Sequence, residues 1–174
     1  MAQPIVGIIM GADKDLPVMS EAAKVLDEFG VPYEVRIISA HRTPEIVETY
    51  ATEAASRGLK VIIAGAGGSA HLQGMTASHT LLPVLAVPVK TPLHDHEALW
   101  SNIKMPTNIP LATMPENGAR NAGLMAVEIL ALSDPKLAAA YQEFRQKLHD
   151  SVVAGDKKLQ QLGWQAFLEQ LEKQ

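Results

Sequence analysis

Ser39, His41 and Arg42 fall within four residues of one another in the run Ser39-Ala40-His41-Arg42-Thr43-Pro44. An unperturbed imidazole titrates at about pH 6.5, so His41 is a side chain that can both give and take a proton near neutrality. A guanidinium offers a fork of donors and a hydroxyl a single adaptable one, so Arg42 and Ser39 suit a phosphate. A second run, Gly11-Ala12-Asp13-Lys14-Asp15, stands between an apolar stretch and a helical pattern, where backbone N–H groups and the helix dipole favour an anion. Lys14 adds positive charge there, and Asp15 is a candidate for sugar hydroxyls. A third run, Gly65-Ala66-Gly67-Gly68-Ser69-Ala70, has His71 at its mouth, and its glycines would let backbone approach a flat ring closely. It also approximates a dinucleotide-binding fingerprint. However, it follows the third strand instead of the first, and the stretch Leu85 to Val87, about 20 residues on, holds no acid for a ribose. His94-Asp95-His96-Glu97 has the side-chain types of a metal site, but neighbouring ligands in one loop form a poor cage, so a solvated or interface loop is expected there.

All three runs need a scaffold that brings them together. Ile5 to Met10 is an apolar strand, Pro17 to Phe29 carries Met19, Ala22, Ala23, Val25 and Leu26 at helical spacing, and Gly30 stops it. The unit repeats as a strand over Tyr33 to Ile38 and a helix from Pro44 to Arg57, with proline in its first turn. Val61 to Ala64 is a third strand, Ala70 to His79 a helix, and Val84 to Val87 a fourth strand between two prolines. Lys90 to Pro110 reads as a loop with one short helical turn, and Leu111 to Thr113 returns to the sheet. Alternating strands and helices predict an α/β domain with a parallel sheet, whose ligands bind outside the carboxyl ends of the strands. Each of the three runs stands at such an end.

From Asn117 onward the pattern is helical, with Pro135 opening a new helix. The stripe Trp164, Phe167, Leu168 and Leu171 is expected to pack on the chain's own domain, with a neighbouring subunit as the alternative cover. The 174 residues suit one domain, an α/β core over 1–134 and a helical extension over 135–174. With only 3 Phe, 2 Trp and 3 Tyr, closely packed alanine-rich helices must supply much of the core.

Lys plus Arg is 15 and Asp plus Glu 19, a formal net charge of −4, which argues against a nucleic-acid binder or a basic membrane-surface protein. The absence of cysteine excludes disulfides, thiolate nucleophiles and cysteine-ligated metal centres. Met1 to Val6 shows no secretory pattern and no run of about 18 apolar residues occurs, so a cytoplasmic address is expected.

Ser39-Ala40-His41-Arg42-Thr43-Pro44 together with Ala64-Gly65-Ala66-Gly67-Gly68-Ser69-Ala70-His71-Leu72 resembles the PurE family of purine biosynthesis. Leu82-Pro83-Val84, Val87-Pro88-Val89, Met105-Pro106, Ile109-Pro110 and Gly118-Ala119-Arg120-Asn121-Ala122-Gly123 extend the likeness over Ile5 to Asp134. The resemblance implies a three-layer flavodoxin-like fold, a homo-octamer with active sites at subunit contacts, a ribonucleotide substrate, and no metal or organic cofactor. It implies a mutase that moves a carboxylate from the exocyclic nitrogen to a ring carbon of an aminoimidazole ribotide, with His41 as proton shuttle. On the same basis Gly11, Ala12, Lys14 and Asp15 in the first loop, Ser39 and Arg42 in the second, and Gly65, Ala66, Gly67, Gly68, Ser69, His71 and Leu72 in the third would bind the substrate. The chain departs from the family pattern where Ala12 and Lys14 replace serines, Gln73 replaces proline, Glu97-Ala98 replaces Asp-Ser, Lys104 replaces glutamine and Asn108 replaces glycine. Two rivals follow. One is a carboxylase or decarboxylase using the same chemistry on another azole ribotide, and the other is a noncatalytic flavodoxin-like ligand-binding or signalling module. A receiver-type module would want an acid at the end of the third strand, where Ile63-Ala64-Gly65 has none.

Overall fold

The computed structural model describes residues 2–92 and 96–173. Five parallel strands, β1 (Val6–Met10), β2 (Tyr33–Ile37), β3 (Val61–Ala66), β4 (Val84–Pro88) and β5 (Ala112–Thr113), lie in the order β2-β1-β3-β4-β5. β1 pairs on both sides, with Ile8 opposite Val35 of β2 and Ile63 of β3. The chain therefore reverses its direction of travel across the sheet at β1, and the loops after β1 and β3 open on either side of that reversal.

Side chains alternate across a strand, and here the alternation feeds two cores. Val6, Ile8 and Met10 of β1, Val61 and Ile63 of β3, and Leu85 and Val87 of β4 face α1 (Leu16–Glu28) and α5 (Ala119–Ala131). Ile9, Ile62, Ala64 and Ala66 face the other way, toward α2 (Pro44–Glu53), α3 (His71–Ser78) and α4 (Glu97–Ile103). This is the expected three-layer α/β flavodoxin-like architecture. β3 continues two residues past the Ala64 expected as its end, and the irregular stretch after β4 contains α4, a two-turn helix. The central strands β1, β3 and β4 are buried throughout, whereas β2 is an edge strand with Val35 and Ile37 exposed.

Small side chains do hold the first layer together. Ala119, Ala122 and Ala126 of α5 are fully buried, and Gly123 lies so close to α1 that an added Cβ would be 2.9 Å from Val25 Cβ and 3.0 Å from Ala22 O. α6 (Pro135–Leu162) starts at Asp134, whose carboxylate accepts from the Lys136 and Leu137 N–H groups, the usual remedy for unpaired donors at a helix start. Its beginning packs on the core through Leu137 and through Tyr141 and Phe144, whose rings lie 6.1 and 5.6 Å from that of Phe29.

The C-terminal stripe does not cover the sheet. It forms α7 (Trp164–Leu171), which packs on α6, with Lys158 over the Phe167 ring, and leaves Trp164, Leu168 and Leu171 exposed. The reason is length, because 28 helical residues span about 40 Å and carry the chain past the core before α7 begins. Among the described residues, no helix is long and apolar enough to cross a membrane.

The α1–α5 contact predicts that Gly123→Leu lowers stability by about 1–3 kcal/mol through overpacking, read as a lower urea midpoint. An unchanged midpoint would mean that the two helices separate at no cost.

Candidate active site

β1 ends at Met10, and Gly11 N–H continues the ladder by donating to Gly65 O at 3.0 Å. Asp13–Asp15 then make a single 3-10 turn that enters α1. Asp15 folds back so that its carboxylate accepts from Ala12 N–H at 3.1 Å, and it is only 3% exposed. Burial pushes its carboxyl above the usual aspartate range, and the nearby Asp13 adds to the rise; the Ala12 N–H, Lys14 and Arg42 act in the opposite sense. Lys14 is exposed on the rim, its backbone N–H held by Asp13.

The second loop is knotted by side-chain hydroxyls. Thr43 Oγ1 donates to Ser39 O and accepts from Ser39 N–H, both at 3.0 Å, which closes the turn before Pro44 opens α2. Ser39 Oγ accepts from the Arg42 backbone N–H at 3.3 Å and from Arg42 Nε at 3.4 Å. Arg42 Nη2 crosses to Gly11 O at 2.9 Å, so the guanidinium joins the first loop to the second. Thr43 carries no sequence signal of function beyond its place before a helix, yet it holds the turn that presents His41.

In the third loop, β3 gives way at Gly67 to a tight turn with Gly68 at φ +60° and Ala70 at φ +47°, and α3 starts at His71. Gly67 is required by space, since a Cβ there would lie 2.5 Å from Thr91 Cγ2 and 2.9 Å from Val89 O. The turn sets His71 beside His41. The two rings meet edge-on at 81°, with His41 Nε2 and His71 Nδ1 2.8 Å apart. That bond needs one N–H and one lone pair, so the pair holds a proton between two histidines 30 residues apart in sequence.

The three loops enclose a cleft of about 440 Å³. Every residue assigned above to proton transfer or substrate binding lines it except Gly65, whose Cα faces Met19 in the α1 layer. The period-2 alternation of β3 explains this, because Ala64 and Ala66 point to one face and Gly65 to the other. Ala40, Ala70, Thr91 and Pro92 also line the cleft without having been anticipated. Thr91 and Pro92 follow the end of β4, and the rule that ligands bind at strand carboxyl ends would have found them.

Of the His94-Asp95-His96-Glu97 run, His94 and Asp95 lie outside the described residues, and His96 Nδ1 meets Glu116 Oε2 at 2.7 Å. Asn108, where the PurE pattern has glycine, has φ +78°, a conformation that asparagine tolerates better than most side chains. A larger groove of about 700 Å³ between α5 and α6 is lined by Leu124, Met125, Tyr141, Phe144 and Val152 among others, and shares no residue with the three loops.

The family model described as AIR carboxylase matches residues 5–151. The chain is 49% identical over 170 residues to the N5-carboxyaminoimidazole ribonucleotide mutase of Thermotoga maritima, covering 97% of this chain and 99% of that one. It is 52% identical over 168 residues to the mutase of the same name from Synechocystis, with 96% of each chain covered. Its fold matches the crystal structure of Treponema denticola PurE with a TM-score of 0.83 at 29% identity, over 90% of this chain and 98% of the other.

The buried carboxyl of Asp15 generates a prediction of its own. A carboxyl whose pKa rises on folding contributes stability while protonated and loses it as pH climbs from the unfolded value through the folded one. Ionising this buried carboxyl therefore works against the folded state. Asp15→Asn, whose amide oxygen can still accept from Ala12 N–H, should raise the thermal midpoint at pH 7, with the gain shrinking below about pH 4. A lowered midpoint at pH 7 would contradict this account.

Proposed function

The chain belongs to the AIR carboxylase family, and from that premise we propose that it is an N5-carboxyaminoimidazole ribonucleotide mutase of purine biosynthesis, an isomerase whose chemistry runs through His41. The observation that carries this reading is the His41–His71 contact at the mouth of a cleft built from three strand-end loops.

The reaction balances with one proton carrier. The bond between the exocyclic nitrogen and the carboxylate breaks, its electron pair stays on nitrogen, and nitrogen takes a proton from His41. The released carbon dioxide is then attacked by the electron-rich ring carbon. A carbon–carbon bond forms, and the proton on that carbon returns to His41. No net proton is consumed, and His41 ends as it began. His71, bonded to His41, orients the ring and fixes which nitrogen bears the proton between steps.

The other loops supply binding. Arg42 and Ser39, already joined by hydrogen bonds, present donors for the ribotide phosphate, and Lys14 adds charge where relatives have a serine. The Asp15 carboxylate suits ribose hydroxyls. The backbone of Ala66 to Ser69 forms the floor for the aminoimidazole and the carbon dioxide, with Leu72 behind it.

We also read residues 1–134 as the catalytic core and 135–174 as an assembly extension of a cytoplasmic homo-octamer. The apolar side chains exposed on this one chain support that reading, with Trp164, Leu168 and Leu171 on α7, Val152 and Leu148 on α6, and Val35 and Ile37 on the sheet edge. Light scattering at micromolar concentration should give a mass near eight subunits; a monomer would refute the assembly.

The function is tested directly by supplying the unstable carboxyamino ribotide and following its carbon-carboxylated isomer. The intact enzyme should form it, and no turnover at any enzyme concentration would overturn the reading. His41→Asn should keep the fold and lose at least about 100-fold in turnover, since asparagine cannot cycle a proton. Substantial residual activity would move the shuttle to His71.

A further inference from the structure

Behind the glycine-rich loop, out of reach of the cleft, are two buried amides that the chemistry above does not use. Gln73 is 0% exposed, and its Nε2 donates to Val87 O at 3.1 Å and to Ala66 O at 3.4 Å. Asn102, on α4 and 2% exposed, donates from Nδ2 to Ala70 O at 3.1 Å. The acceptor atoms of both amides, Gln73 Oε1 and Asn102 Oδ1, are buried without a hydrogen-bond partner among the described residues.

An amide buried with an idle acceptor is a poor way to fill space. Leaving such an atom unpaired costs about 1–3 kcal/mol, and an apolar side chain of similar volume would avoid that cost. What an apolar side chain cannot do is donate to a carbonyl. The carbonyls chosen are those of Ala66 and Ala70, which bracket the Gly67-Gly68-Ser69 turn on both sides. Ala70 also sits at φ +47° and immediately precedes His71, so its orientation sets where the His71 ring meets His41. Val87, the third carbonyl held, belongs to β4, so Gln73 also fastens the turn to the adjoining strand.

We propose that Gln73 and Asn102 are positioning residues for the carboxyl transfer: they hold the two ends of the glycine-rich turn from behind, so that the turn stays closed over carbon dioxide between its release from nitrogen and its capture by carbon. The inference rests on the mutase reading. It predicts a specific failure, because a slack turn lets carbon dioxide escape, and substrate is then lost as free aminoimidazole ribotide instead of being isomerised.

The test measures both products from the carboxyamino ribotide, after subtracting its spontaneous breakdown, for the intact enzyme, Gln73→Met and Asn102→Ala. Methionine conserves volume and removes the donor. Each variant should lose about 10- to 100-fold in kcat for the carbon-carboxylated isomer, with KM within about threefold because the phosphate-binding loops are untouched. The share of turnover ending as free ribotide should rise. A variant that is merely less folded lowers both products together and leaves their ratio unchanged, and that result overturns the proposal. So does full coupling at normal rate. If Gln73→Met does not fold, the ratio for Asn102→Ala decides alone, and Asn102→Ser, which keeps a donor, should recover part of the coupling. Failure of the mutase reading is separate and visible first, as absence of the isomer with the intact enzyme.

Discussion

Parallel pairing of β1 with strands on both of its sides is the constraint on which the rest of this structure depends. Parallel strands place all their carboxyl ends at one edge, so the loops after Met10, Ile37 and Ala66 must emerge together. The reversal at β1 then parts the helices that follow, α1 to one face and α2 and α3 to the other. A crevice opens where they part, and the 440 Å³ cleft is that crevice. The continuous burial of β1, β3 and β4 anchors this edge on both faces, which is what the proposed binding of a ribotide by these loops requires.

The loops are then joined to one another, and few of the joints are side chain to side chain. Arg42 reaches the carbonyl of Gly11, Asp15 takes the N–H of Ala12, Gln73 and Asn102 hold the carbonyls of Ala66 and Ala70, and Thr43 closes on Ser39. Main-chain groups are the common partner, so the backbone is what these side chains fix in place. That suits a site expected to meet a flat ring and a small uncharged molecule, since backbone N–H groups can approach both closely. The exceptions are Arg42 Nε on Ser39 Oγ, within the second loop, and His41 with His71, where a proton is held between side chains of two loops.

Catalytic rigidity and exposed apolar surface occur in different parts of the molecule. The core layers close on themselves through alanines and Gly123, leaving α6 free after its first three turns to run outward. Leu148, Val152, Val153 and Leu162 on it, together with Trp164, Leu168 and Leu171 of α7, stay exposed, and the groove between α5 and α6 is mostly apolar as well. Surfaces of that kind are what the proposed assembly would cover.

Much was legible in the residues themselves. Strand and helix periods located all five strands and most of the helices, because burial repeats every two or every 3.6 residues and leaves its mark locally. The three loops were found because Gly, Ser, His, Arg and Lys standing at strand ends have few uses there besides binding. Other features were beyond such reading. Gly65 belonged to the motif yet faces Met19, a matter of strand phase, which governs this residue because β3 runs on to Ala66. The C-terminal stripe had the right period, but a period says which face is apolar and nothing of what covers it, and a helix of about 40 Å had carried it away from the sheet. Gln73 stood out only as a departure from the PurE pattern, Asn102 looked like an ordinary polar position, and Thr91 like part of a loop. The sequence by itself determined the layers, the loops and the residue types able to do chemistry, because these follow from short-range periodicity. Only the tertiary structure decided that His41 bonds His71 and that two amides brace the turn between, because contacts across 30 residues depend on how crossover helices return the chain to the sheet.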